Sequence, residues 1–338
     1  MKVLVTGSAG FIGSHVALAL LARGEEVVGI DNLDPYYDVA LKRARLARFA
    51  GHPGYTHVDA DIADRAAVEA LFATHRPARV VHLAAQAGVR HAATHPHAYA
   101  HTNVTGTLHV LEGCRHHAVG HLVFASTSSV YGANGAMPLD EHQGTQHPLT
   151  LYAASKKANE MMAHAYAHLY RFPATGLRFF TVYGPWGRPD MAPSLFARAI
   201  LAGEPIPVFG HGHHRRSFTY IDDIVEGVLR TLDRPADVAP GWDAQVPDPA
   251  TSGVAPYRIY NIGHERTVGV LRFIELLQEQ LGRDAVLDLL PRQPGDVDAT
   301  EADVSDLFAA TGYRPQVEVE DGVARFAAWY RHYHGAPA

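Results

Sequence analysis

Tyr152 and Lys156 stand four residues apart in Leu151-Tyr152-Ala153-Ala154-Ser155-Lys156-Lys157. On a helix that spacing puts both side chains on one face, one turn apart. A lone phenol titrates near ~10, too high for a base at neutral pH. A neighbouring ammonium favours the phenolate and draws that value down. Such a pair can take a proton from a hydroxyl and return it. Of the 29 Lys and Arg residues, only Lys2, Lys42, Lys156 and Lys157 are lysines. Arginine serves almost everywhere a plain positive charge is enough, so the lysine at 156 points to a need for a compact ammonium. The same pattern occurs on ordinary surface helices, and the surrounding chain has to decide between the two.

A second constellation lies at the N-terminus. Gly7-Ser8-Ala9-Gly10-Phe11-Ile12-Gly13 follows an apolar run and precedes a helical one. Glycines at a strand-to-helix turn let the backbone approach a pyrophosphate, and the helix start supplies N–H donors. Asp31 ends the next apolar run, where an acid bonds the ribose hydroxyls of a dinucleotide. A carboxylate there repels a 2′-phosphate, and no arginine follows before Arg43. This favours NAD over NADP. Asp61 is a candidate for the adenine amino group. The small residues of Leu83-Ala84-Ala85 would let a cofactor lie close to the backbone.

These groups need elements to hold them. Short buried strands are expected over 3–6, 26–30, 55–58, 79–83, 121–125 and 175–180. Helices are expected over 15–21, from an Asp64 cap to about 74, over 96–117 and across the Tyr152 segment. Alternating strands and helices imply an α/β, Rossmann-type, doubly wound parallel sheet that binds its ligand at the carboxyl ends of the strands. After 180 the alternation fades, because Pro185, Pro189, Pro193, Pro205 and Pro207 punctuate the chain. Amphipathic helices are expected over 222–232, 270–281 and 321–333, and a surface loop over 234–256. The division expected is a 1–180 NAD-binding domain and a smaller 181–338 α/β domain for the substrate. Segments near 222–233 and 258–262 are expected to pack back on the first domain.

The chain has 338 residues, 47% hydrophobic and 19% charged, enough for a sizeable core. Its net charge of −6 and the lack of any Lys/Arg run give no footing for nucleic acid. A single cysteine, Cys114, excludes an internal disulfide and fits a reducing compartment. Glycines interrupt the first apolar run and no long apolar segment follows, so a cytoplasmic chain without a membrane span is expected.

Taken together, these motifs resemble the extended short-chain dehydrogenases/reductases that act on nucleotide sugars. The matches are the Gly-x-x-Gly-x-x-Gly turn, Asp31, Leu83-Ala84-Ala85, the Ser126 to Gly132 segment and Tyr152-x-x-x-Lys156, in the family's order. More narrowly the chain is similar to UDP-glucuronate 4-epimerases. That likeness rests on Asp31 to Asp38, Ala125 to Gly132, the Arg178 to Met191 run and Gln293-Pro294-Gly295-Asp296-Val297. It departs from that group at His91, at Ser217 and at the His213-His214 pair.

The resemblance implies a tightly bound NAD, regenerated each turnover and held by the glycine turn with Phe11 and Ile12. Asp31, Asn32, Asp61, Ile62, Leu83, Ala84, Ala85, Asn103, Ser126, Tyr152 and Lys156 complete that set. Tyr152 would be the base at the sugar C4 hydroxyl, Lys156 would hold the nicotinamide ribose, and Thr127 would relay the proton. Arg216, Arg292 and Arg90 are assigned to the diphosphate. Arg188 with Thr127, Ser128 and Thr181 is assigned to the glucuronate side, and Ser129 to substrate binding in general. Related dehydratases and decarboxylases usually carry an acid where Ser128 and Ser129 stand, and two serines cannot protonate a leaving hydroxyl. The reading is therefore 4-epimerisation of UDP-glucuronate to UDP-galacturonate by an isomerase. The alternatives are a UDP-glucose or UDP-N-acetylglucosamine 4-epimerase, a UDP-glucuronate decarboxylase, or an NAD-sensing binding protein. No metal is expected, since His164-x-x-x-His168 lacks the glutamate of a His-Glu-x-x-His site. A homodimer is expected through the helices around 97–117 and 152–170.

Overall fold

The computed structural model describes residues 1–292 and 299–335. Its first half is built from β1 (Lys2–Thr6), α1 (Phe11–Ala22), β2 (Glu26–Asp31), α2 (Val39–Ala47), β3 (Tyr55–Asp59), α3 (Arg65–His75) and β4 (Arg79–His82). Then come α4 (Val89–Thr94), α5 (Pro96–Tyr99), a π-helical segment (Ala100–Gly106), α6 (Thr107–His116), β5 (His121–Thr127), α7 (Leu151–Tyr170) and β6 (Ala174–Phe179). The expected strands are all present within a residue or two at either end. The helix expected over 96–117 is continuous, but its middle widens into a π-turn that carries Asn103. Such bulges set one side chain out of helical register.

The second half contributes β7 (Thr181–Tyr183), α8 (Ala192–Ala202), β8 (Pro205–Val208), β9 (Arg215–Arg216), β10 (Phe218–Tyr220) and α9 (Ile221–Leu232). It continues with β11 (Tyr257–Ile262), β12 (Val268–Gly269), α10 (Val270–Leu281), β13 (Val286–Leu289), β14 (Ala299–Thr300), α11 (Ser305–Thr311) and α12 (Val319–His334). Two helices depart from the expectations. α2 has no counterpart among the expected helices and starts where the Asp38 side chain accepts from the Ala40 N–H at 2.8 Å. α8 carries Pro193 in its first turn, where a proline starts a helix, although the sequence reads it as a break.

Seven parallel strands form the main sheet in the order β11-β6-β5-β4-β1-β2-β3. The order reverses at β1 and β4, and the open edge of such a crevice is where ligands sit. α1 is apolar nearly all round because the sheet covers one side and α9 packs on the other. β11 runs beside β6 with Tyr257 opposite Ala174 and Ile262 opposite Phe179. Thus α9 and β11 belong spatially to the sheet layer although they follow residue 180. The remaining short strands form small sheets of two or three strands, β10-β7, β12-β9-β14 and β13-β8. Among the described residues, no helix is long and apolar enough to cross a membrane.

Candidate active site

Each element end along that edge delivers one part of a single cavity of about 420 Å³. The turn after β1 comes first. Gly7 takes φ +72°, and a Cβ there would stand 2.9 Å from the Ala84 nitrogen. A Cβ on Gly13 would stand 2.0 Å from the Gly7 carbonyl oxygen. Glycine is therefore required for α1 to start this close to the sheet. α1 begins after Gly10 with no side chain capping its first turn. Its N–H groups and dipole suit an anion, and the cradle fits the diphosphate of a dinucleotide.

Asp31 ends β2. One carboxylate oxygen accepts from the Ala9 N–H at 3.0 Å and the other from the Leu33 N–H at 2.9 Å. A carboxylate has about four acceptor sites, so it ties the glycine turn to the β2 end and keeps capacity for hydroxyls. Asn32 donates to Asp61 at 3.0 Å, and Asp61 also accepts from the Ala63 N–H at 2.8 Å. Thr6 Oγ1 accepts from the Leu83 and Ala84 N–H groups at 3.1 and 3.0 Å, fixing the small turn after β4. Phe11, Ile12, Ile62 and Ala85 line the same stretch of the cavity. Asn103 lies behind it. Its side chain brackets the Gln86 backbone at 2.8 and 3.0 Å and donates to Ser155 Oγ at 2.9 Å.

At the other end stand Ser126, Thr127, Ser128, Ser129, Tyr152, Lys156, Thr181 and Arg188. Thr150 caps α7 by accepting from the Ala153 N–H at 3.1 Å, which orients the turn bearing Tyr152. Lys156 is 2% exposed and donates to the Ala125 carbonyl at 3.0 Å. Burial lowers its ammonium to about 8. Burial raises the Tyr152 phenol, and the Thr127 hydroxyl and the Arg188 charge oppose that rise. The expected lowering of Tyr152 by Lys156 is therefore not what the protein alone produces. Desolvation wins, and the ammonium is directed at a β5 carbonyl.

Three expected arginines lie apart from the cavity lining among the described residues. Arg90 turns away on α4 and stacks 5.2 Å from the Phe209 ring. Arg216 lies on β9 and donates to the Arg215 carbonyl at 2.8 Å. Arg292 is exposed. The segment Gln293-Pro294-Gly295-Asp296-Val297 lies outside the described residues. Arg188 does reach the cavity, but its fork grips a carboxylate of its own chain. Nε meets Asp190 at 3.0 Å, Nη2 meets it at 2.6 Å, and Nη2 also donates to the Ala87 carbonyl at 2.9 Å. Tyr36 donates to the same Asp190 at 2.9 Å. Arg188, assigned above to the glucuronate side, therefore already has a carboxylate partner in its own chain. His91, one of the departures noted above, packs against Tyr36 with ring centroids 4.2 Å apart and planes tilted by 47°.

Sequence reasoning missed the support beneath the site. Glu160 is 1% exposed and Arg178 is wholly buried. They pair through two bonds of 2.9 and 3.0 Å, and Ser126 donates to Glu160 at 2.6 Å. The signal was there, because 152, 156 and 160 form one ladder of four-residue steps along α7. Its partner on β6 was not readable.

A glycine cradle at a helix start, an acid at the β2 end and a tyrosine one turn from a buried lysine, all lining one cavity, define an α/β fold with a dinucleotide-type site. The pattern described as the NAD dependent epimerase/dehydratase family matches residues 3–263, and the chain belongs to that family. NAD is accordingly its cofactor. A probable UDP-glucuronate 4-epimerase of Rhizobium meliloti (strain 1021) is 47% identical over 334 residues, spanning 98% of this chain and 97% of the relative. Among solved structures, UDP-glucuronic acid 4-epimerase from Bacillus cereus, bound to UDP-glucuronic acid and NAD, is 31% identical with a TM-score of 0.87. The match covers 98% of this chain and 100% of that one. A dTDP-glucose 4,6-dehydratase from Streptomyces venezuelae superposes with a TM-score of 0.86 at 30% identity, covering 99% and 98% of the two chains. Fold alone thus does not choose between epimerisation and dehydration.

Proposed function

We propose that the chain interconverts UDP-glucuronate and UDP-galacturonate by 4-epimerisation. NAD, when bound, supplies the reversible hydride acceptor for C4. The glycine turn, α1 and Asp31 would hold it, with Lys156 toward its reactive end. Tyr152 takes the proton of the C4 hydroxyl and gives it back, and Thr127 relays it. Lys156 at about 8 is still mostly charged at neutral pH, and the Thr127 hydroxyl and the Arg188 charge are what oppose the burial that raises the phenol. Turning the 4-keto ring requires few grips on the sugar, and the Ala84 to Gly88 wall is made of small residues except Gln86.

One observation supports epimerisation over elimination. The lining acids Asp31, Asp34 and Asp61 all lie at or just after the ends of β2 and β3, whereas hydroxyls line the Tyr152 end and no described lining residue there is a carboxylic acid. A leaving C6 hydroxyl would find no strong acid. The test is direct. The purified holoenzyme is given UDP-glucuronate and the products are resolved by anion exchange and proton NMR. UDP-galacturonate is expected. UDP-xylose or an accumulating 4-keto sugar would overturn the assignment.

The Arg188–Asp190 pair favours one second reading, a 4-epimerase for a neutral UDP-sugar, because a neutralised guanidinium accepts a hydroxymethyl group. Arg188→Ala separates the two. If Arg188 serves the uronate, turnover of UDP-glucuronate falls about tenfold more than that of UDP-glucose. Equal losses would remove Arg188 from carboxylate recognition. Exposed Leu108, Met161, Leu169 and Tyr170 on α6 and α7 support a second copy of the chain as partner, testable by sedimentation.

A further inference from the structure

Arg45, like Arg178, has no exposed surface, and the chemistry above does not use it. A guanidinium has five N–H donors. Here all five are engaged. Nη1 donates to the Ala9 carbonyl at 3.1 Å and to Tyr37 Oη at 2.6 Å. Nε and Nη2 both donate to the Trp186 carbonyl, at 3.0 and 2.7 Å, and Nη2 also donates to that of Gly187 at 3.2 Å. Three separate loops therefore meet on one side chain. Ala9 belongs to the glycine turn that cradles the dinucleotide. Tyr37 belongs to the loop after β2. Trp186 and Gly187 lead directly into Arg188 at the other end of the cavity.

The Trp186 turn needs such a hold. Its φ is +65°, a left-handed conformation that side chains other than glycine rarely adopt. Its ring is fixed separately, 5.5 Å from Trp329 on α12. The backbone is held by Arg45 and the ring by the last helix, so the turn cannot shift without breaking one of them.

We propose that Arg45 is a positioning residue that locks the dinucleotide cradle to the loop carrying Arg188, so that NAD and the nucleotide sugar bind cooperatively. A ligand that orders the Arg188 loop strengthens the cradle, and the reverse follows by linkage. Lysine cannot replace this group, because three donors on one nitrogen cannot span acceptors on three loops.

The proposal takes only its choice of sugar from the function proposed above, and the experiment reads NAD release rather than turnover. Holoenzyme is diluted into an NAD trap, with and without UDP-glucuronate, and NAD loss is followed in the original protein, in Arg45→Lys and in Tyr37→Phe. The original protein releases NAD at least about fivefold more slowly when the sugar is present. Arg45→Lys releases NAD about tenfold faster, and UDP-glucuronate no longer slows it. Tyr37→Phe, which removes a single bond, shifts both quantities in the same direction by about two- to fivefold. Guanidinium ion added to Arg45→Ala restores part of the sugar effect.

A purely structural Arg45 would lower the melting temperature and leave both release rates unchanged, which would overturn the proposal. If Arg45→Lys does not fold, unchanged release from a folded Tyr37→Phe overturns it equally. Absence of UDP-galacturonate formation by the original protein would instead count against the function alone, and UDP-glucose then replaces UDP-glucuronate in the same release assay.

Discussion

Asp31, Asp34 and Asp61 gather at the β2–β3 end of the cavity, while Thr127, Ser128, Ser129, Tyr152, Lys156 and Arg188 gather at the other. The first end is made of backbone and carboxylates from consecutive strand ends. The second is assembled from β5, α7 and the loop after β7, and beneath it lies a buried ion pair. One end is suited to hold a cofactor through local geometry. The other is suited to move protons, and it depends on packing across long sequence separations.

That division can be broken experimentally. The largest effect is expected from Tyr152→Phe. If proton transfer belongs to the α7 end, kcat falls about 10³-fold while NAD stays bound and the melting curve is unchanged. A fall of only a few-fold would move the base elsewhere.

Next is Glu160→Gln, which leaves Arg178 as an uncompensated buried charge. Breaking such a pair costs about 3–5 kcal/mol, read by urea denaturation. A change below about 1 kcal/mol would place the ion pair outside the support of the site.

A smaller effect comes from His82, which is buried between Thr6 and Thr107 and held neutral. Burial lowers it from 6.5 to about 3. The unfolded chain binds that proton below pH 6.5 and the folded chain does not, so stability falls as pH drops from 6.5 toward 3. From pH 6.5 to 5 the loss is about 2 kcal/mol, and His82→Gln should flatten that limb of a stability–pH curve.

The smallest effect tests the β2 end. Asp31→Asn should weaken NAD about tenfold, narrow the preference over NADP, and leave kcat at saturating NAD unchanged. A large loss of kcat would show that the two ends are not separate.

Much of this was legible in one dimension. The glycine turn, Asp31 and the Tyr152–Lys156 spacing report contacts within a few residues, where backbone geometry fixes the outcome. The strand pattern likewise gave a parallel sheet, because hydrophobic runs between turns leave few alternatives. Pro193 misled for the opposite reason, since a proline breaks a helix interior but starts a helix at its first turn.

The sequence by itself determined the sheet, the glycine cradle and the four-residue spacing that sets Tyr152 and Lys156 on one face of α7. Each depends on residue type and short spacing. The tertiary structure alone decided what those groups face. It turned Lys156 toward the Ala125 carbonyl, raised Tyr152 by burial, and gave Arg188 the Asp190 carboxylate. It also brought Arg45 to Trp186 across 141 positions and Glu160 to Arg178 across two elements. Charge pairing and desolvation are set by distance in space, and no local pattern encodes which distant carbonyl or carboxylate a buried cation will meet.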